Sequence, residues 1–405
     1  MITGIGVLAP NGIGKEAFWS ALKEGRSGIK PVTIFDPGLF KTKLAGEISD
    51  FNAEEFLGPK DLQNTDRGTK LVCSAARLAL EDARLKITEE NTEEFGVATG
   101  TTLALWNIAE FGREIVQDGP RFATAAIFVG TTINTASSQI SIRHKIKGFN
   151  ATISTGFTAG LDALKYAVSF IKLNRAKAVL VAGVEGLTFA SFAGFYKVGF
   201  LAGLKGEELS CPFDKRRNGI ILGEAAAVLL VEGEEYARKR NAHIYAELAA
   251  VENSFDAFRA AKYEPKAAGL KETMTKAIKN AGLREDDIDC ISSAANSVVQ
   301  QDMLETYVIK QVFNTRAKTV PVSAIKSMVG ETVSAGGILQ IAASLGSLEK
   351  DFIPPTINYK EKDADCDLDY VPNAPRQQRV NNILINSFGP GGNNATAVIK
   401  RYGGE

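Results

Sequence analysis

The stretch Asn150-Ala-Thr-Ile-Ser154, running through Thr155-Gly-Phe-Thr-Ala-Gly160 into Leu161-Asp-Ala-Leu-Lys-Tyr-Ala-Val-Ser-Phe170, narrows the possible folds most. A β-prone run meets a turn of small residues, and a helix pattern then opens with Leu161, Leu164, Val168 and Ile171 on one face. This is a strand-turn-helix elbow. Such a turn pushes one side chain into the open, and the helix N-terminus behind it favours an anion and lowers a thiol pKa, so enzymes place nucleophiles there. The residue presented here is Phe157, which has no nucleophilic atom.

The same alternation runs along the chain. Strands are expected over 1–8, 95–100, 176–185, 225–232, 245–251, 288–293, 319–323, 382–386 and 395–400. Helices are expected over 15–23, 66–83, 101–116, 161–170, 234–241, 267–281, 302–312 and 335–348, with 26–65 rich in loops. The run 176–185 is apolar on both faces, as a sheet buried between helices requires. Alternating β and α elements imply an α/β fold with a mostly parallel sheet covered on both sides. No internal sequence repeat is legible.

Composition excludes several functions. The 47 basic and 47 acidic residues leave a net charge of zero, which gives no footprint for nucleic acid or an anionic membrane. No signal peptide precedes the first strand and no apolar run approaches a membrane span, so a cytoplasmic protein is expected. Cys73, Cys211, Cys290 and Cys366 form no CxxC pair and read as buried thiols in a reducing compartment. With only His144 and His243, no cluster has metal-ligand spacing, so neither metal nor cofactor is expected. His144, between Arg143 and Lys145, reads as a solvated or packing histidine. The glycines of 4–14 and 386–394 fit neither a dinucleotide fingerprint nor a Walker loop.

Three motifs carry a family resemblance. Ser154-Thr-Gly-Phe-Thr-Ala-Gly160 resembles the ketosynthase elbow, with Phe157 in register with the nucleophilic Cys. Cys211-Pro-Phe-Asp-Lys-Arg-Arg-Asn-Gly-Ile-Ile-Leu-Gly-Glu224 and Asn386-Ser-Phe-Gly-Pro-Gly-Gly-Asn-Asn394 resemble two further ketosynthase segments. Ketosynthases are the thiolase-fold condensing enzymes of fatty acid and polyketide synthesis. The resemblance covers essentially the whole chain and implies a five-layered αβαβα fold of two similar βα halves, 1–235 and 236–405.

It also implies the site. The two family histidines fall on Ala294 and Glu331, so all three catalytic positions are changed. Those histidines help decarboxylate a malonyl thioester and hydrogen-bond the developing enolate oxygen. Ala294 donates nothing there, and an ionised Glu331 repels an oxyanion. Lys326 and Glu305 are retained and are expected as a structural ion pair, while Asp214, Arg217 and Glu224 are expected in buried ion-pair and turn roles.

Residues 101–116 and Gln139-Ile-Ser-Ile-Arg-His144 resemble the chain-length factors, non-condensing partners of type II polyketide and polyene synthases. This implies a heterodimer with an active ketosynthase, served by an acyl carrier protein, with Leu105, Ile108 and Gly112 on tunnel-gating positions and Phe388 closing over the elbow. Gly112 is small where a plug might stand, so the tunnel is expected to pass it and to narrow at Leu105 and Ile108. The alternative is a divergent acyltransferase or decarboxylase using Ser154, Thr155 or Thr158 as nucleophile, although no histidine base stands near these hydroxyls in the sequence.

Overall fold

Apolar residues on successive positions of the strands bury both faces of a sheet, and this sets the architecture. The first-half strands are β1 (Ile2–Ala9), β2 (Phe95–Gly100), β3 (Asn150–Ile153), β4 (Ala178–Glu185) and β5 (Ala225–Glu232). The second-half strands are β6 (Ala246–Phe255), β7 (Cys290–Ser292), β8 (Val322–Ser323), β9 (Asn382–Phe388) and β10 (Asn393–Arg401). The helices that matter here are α1 (Lys15–Lys23), α2 (Arg67–Ala83), α3 (Trp106–Asp118), α4 (Thr135–His144) and α5 (Ala159–Lys172), followed by α6 (Phe189–Lys197), α7 (Ala268–Asn280), α8 (Val299–Phe313) and α9 (Gly336–Lys350). The computed structural model describes residues 1–403 apart from 61, 64, 104 and 105, and no side chain at 106, 107 or 126.

The strands lie in one sheet in the order β8-β7-β9-β10-β6-β1-β5-β4-β2-β3. Within each half the order is the same: third strand, second, fourth, fifth, first. In both, the second strand pairs in parallel with the third and fourth, and the fifth pairs antiparallel with the fourth and first. The halves join where Ile2 pairs with Ala246. The duplication hidden in the sequence is thus explicit in the topology. The sheet is mixed rather than mostly parallel, because the last strand of each half runs back against its neighbour. Between β9 and β10 the return is a tight hairpin, which fixes antiparallel pairing.

Period-2 alternation sorts side chains into layers. On β4, Val179 and Val181 face the interior with α5 and α9, while Ala178, Leu180 and Ala182 face α2. On β9, Ile383 and Ile385 face the same interior, and Leu384 faces α7 and α8. The layers are therefore α2 and α4, the first half-sheet, α5 and α9, the second half-sheet, and α7 and α8. In α9 every residue from Gly336 to Leu348 is buried, as expected of a helix apolar on most of its circumference.

Several elements differ from expectation. The helix expected from 101 begins at Trp106, and the strand expected over 319–323 shrinks to Val322–Ser323. The loop-rich region contains a hairpin, Ile29–Pro31 with Leu44–Gly46, and a helix, Ala53–Leu57, both too short to show a period. Among the described residues no helix is long and apolar enough to cross a membrane.

Candidate active site

The elbow forms as the small-residue turn dictates. β3 ends at Ile153, residues Gly156–Thr158 make a single 3-10 turn, and α5 starts at Ala159. Gly156 sits at φ 71°, a left-handed conformation that favours glycine. Phe157 is half-buried and packs toward the cluster of Leu187, Phe192 and Val333. Its ring lies so close to Gly389 that a Cβ there would fall 2.4 Å from Phe157 Cδ2. The Phe157 carbonyl accepts a hydrogen bond from Ser387 Oγ at 2.8 Å. Thr155 and Thr158 donate their hydroxyls to Asp162 Oδ2 at 2.5 and 2.7 Å, and Ser154 is exposed.

A buried polar network surrounds the other two positions. Ala294 is fully buried; its carbonyl accepts from Lys326 Nζ at 3.1 Å and Gln301 Nε2 at 2.8 Å. Lys326 Nζ lies 2.8 Å from Glu331 Oε2, which also accepts from Asn296 Nδ2 at 2.7 Å. Glu331 Oε1 accepts from the Val333 amide at 2.8 Å. The expected Lys326–Glu305 pair is therefore corrected: Lys326 bonds Glu331, the nearer carboxylate on its own segment. Glu305 is held by Ser293 Oγ (2.6 Å), Asn386 Nδ2 (2.9 Å) and the Ala294 amide (3.0 Å). Burial raises its pKa against these donors.

Two residues the sequence did not single out complete the network. Tyr263 Oη donates to Gln301 Oε1 at 2.6 Å, and its ring meets Phe388 edge-on at 6.3 Å between centroids. Burial, followed by the carboxylates of Glu331 and Asp302, pushes the Tyr263 phenol well above its usual range. Phe388 itself is buried at the start of the hairpin whose Gly389 backs Phe157. Tyr263 lies in an irregular segment without periodic signal, which is why pattern reading passed over it.

The remaining expected residues fall elsewhere. Glu224 is fully buried, bonded by Arg67 and by the amides of Ile48 and Leu187. Asp214 binds Arg216 and the amides of Lys360 and Glu361, while Arg217 pairs with Asp363 and approaches Asp302 at 3.8 Å. These are three separate anchors that fasten loops to the core. All four cysteines are unpaired and buried. His144 ends α4 at a packing position; burial, then Arg143 and Arg77, lowers its pKa to about 4. Among the described residues no His, Cys, Asp and Glu cluster is arranged to hold a metal ion.

Of the tunnel residues, Leu105 lies outside the described residues. Ile108 is 52% exposed, and a Cβ at Gly112 would meet nothing within 4 Å. Beside α3 is a cavity of about 500 Å³ lined by Leu103, Glu110, Ile127, Ile133, Leu187 and Phe189. Glu185 stands in its wall, accepting from the Thr102 amide at 2.5 Å and the Leu103 amide at 3.0 Å. Burial pushes the Glu185 carboxyl up to about 7, against the lowering by Ser334 and these two amides.

A five-layered scaffold with this elbow at the end of the edge strand β3 defines a thiolase-like fold of the condensing-enzyme type. Comparison narrows the class. Residues 1–237 match the beta-ketoacyl synthase N-terminal domain, and residues 245–360 match the beta-ketoacyl synthase C-terminal domain. The chain is 37% identical to 3-oxoacyl-[acyl-carrier-protein] synthase 2 of Coxiella burnetii, with 99% of this chain and 98% of that protein covered. It is 36% identical to the tetracenomycin polyketide synthase ketoacyl synthase alpha subunit of Streptomyces glaucescens, covering 99% and 96%. Among solved structures, the ishigamide ketosynthase/chain length factor superposes with a TM-score of 0.93 at 30% identity, covering 99% and 98%. The chain belongs to the beta-ketoacyl synthase family.

Proposed function

We propose that this chain is a non-condensing, chain-length-factor-type subunit. It pairs with an active beta-ketoacyl synthase, receives a chain from an acyl carrier protein, and shapes the interface tunnel that limits chain length. The carrying observation is the elbow itself: the side chain at the nucleophile position is a phenyl ring packed on Gly389. Ala294 offers no donor, and Glu331 is occupied by Lys326, Asn296 and the Val333 amide. Neither a thiol nor an imidazole stands where thioester attack and enolate stabilisation require one. The exposed Ile108 and the open space at Gly112 support a tunnel wall completed by a second chain. The boundary between the two halves is placed at 235/236, the complex in the cytosol, and the chemistry needs no cofactor in this subunit.

The test is expression of the chain alone and with its ketosynthase partner, followed by size measurement and malonyl-carrier condensation. Silence alone with activity in a one-to-one complex supports the reading; condensation by the chain alone sinks it. Within the active complex, Gly112→Phe should shorten the product.

A further inference from the structure

The Glu331 carboxylate has a second connection that a merely lost catalytic residue would not need. Its Oε2 faces Lys326 and Asn296, but its Oε1 faces the opposite way and accepts from the Val333 amide at 2.8 Å. A neutral imidazole has one acceptor and cannot take both bonds; a carboxylate can. Val333 sits at φ 45°, a left-handed position unfavourable for a β-branched residue, and the bond to Glu331 helps hold it there. The next residue, Ser334, is fully buried, and its Oγ lies 2.7 Å from Thr102 Oγ1 and 3.1 Å from the Gly156 carbonyl. Thr102 and Leu103 are the residues whose amides are held by Glu185, which is 3% exposed. A continuous polar path therefore runs from Lys326 through Glu331, the 333–335 turn and Thr102 to Glu185. It ends at Thr102 and Leu103, which precede α3 in the chain.

We propose that Glu331 and Glu185, linked through Ser334, are positioning residues that hold Thr102–Leu103 as the hinge of α3 and so set where Ile108 and Gly112 stand in the tunnel. The vacated catalytic position has been reassigned from oxyanion chemistry to holding the chain that carries the gate. This rests on the chain-length reading above. The two carboxylates do different parts of the work: Glu185 holds the hinge amides directly, and Glu331 holds the turn that braces the Thr102 side chain.

The experiment uses the assembled heterodimer and two readouts. The first is amide hydrogen exchange at Thr102 and Leu103; the second is the distribution of product lengths, normalised to total condensation. Ser334→Ala and Glu185→Gln should each speed exchange at these two amides, by about tenfold or more for local opening of a buried hinge, and should broaden the product distribution. Glu331→His should do the same, but it strips the buried Lys326 of its partner, so Ser334→Ala is the deciding variant. Wild-type exchange at Thr102 and Leu103 in Ser334→Ala would overturn the proposal. So would faster exchange with a product distribution identical to wild type. Gly112→Phe, run in parallel, separates the two levels: if it leaves product length unchanged, the tunnel reading fails, whatever the hinge does.

Discussion

The two halves share one topology but finish their outer edges differently. At one end of the sheet, β8 is two buried residues closed by its own chain: the Val322 amide donates to the Asp369 carbonyl at 2.8 Å, and Ser323 Oγ to the Pro354 carbonyl at 2.7 Å. At the other end, β3 has no strand beyond it among the described residues. Val97 donates to the Phe149 carbonyl and Thr101 to the Ile153 carbonyl, so the backbone polar groups of Asn150 and Thr152 face away from the sheet. On α4, which packs against β3, the apolar side chain of Ile142 is 67% exposed. An unprotected strand edge is a template for another chain. The two halves therefore offer equivalent ends of which the first-half end is left open, and the proposed pairing across a pseudo-two-fold axis would complete it.

That contrast can be broken most directly at Thr152. Proline is tolerated on an edge strand where the N–H points outward, so Thr152→Pro should leave the chain folded. It should weaken pairing with the ketosynthase by at least about a hundredfold, ~3 kcal/mol, as read by analytical ultracentrifugation. Thr152→Val controls for the lost bond to Ser137 Oγ. Undiminished pairing would mean that β3 is not the interface.

The interior should respond in stability instead. Lys326→Ala leaves Glu331 buried without its cation and should cost about 3–5 kcal/mol in urea unfolding, with pairing unchanged in the fraction that remains folded. Each half also buries one carboxyl with a pKa of about 7, Glu185 in the first and Asp302 in the second, in both cases chiefly through desolvation. Their folded pKa values lie above the unfolded values, so the native state holds more protons than the unfolded chain in the window between. The stability they contribute is full below about pH 4 and is lost as pH rises through about 7. Urea midpoints between pH 5 and 8 should show this part of the slope disappearing in Asp302→Asn. The smallest effect belongs to the closed edge: Asp369→Ala removes a half-exposed pair with Arg376 and should cost at most about 1 kcal/mol, without touching pairing.

Much of this is legible in the sequence. The run at 150–170 announced the elbow because two periodicities meet there, and the long apolar pattern of 335–348 announced an interior helix. The repeat was not legible, since what the halves share is strand order, which side-chain identity does not record. The partner of Lys326 was misjudged because both Glu305 and Glu331 can be brought to it by folding, and only the turn at 326–331 decides between them. Tyr263 and Gln301 were missed for a similar reason: hydrogen bonds between distant irregular segments leave no period in either. Asp302 gave no warning either, since its shift comes from burial contributed by several elements.

The helix layer between the half-sheets has a consequence for dissection of the molecule. α5 comes from one half and α9 from the other, and they meet where a Cβ on Gly337 would fall 2.6 Å from Leu161 Cγ. Each half thus supplies part of the other's interior. Cutting the chain near residue 235 would produce two fragments, each exposing a largely apolar surface that is buried in the intact chain. Neither piece would behave as a module; the duplicated units are locked together from within, however freely their rims diverge.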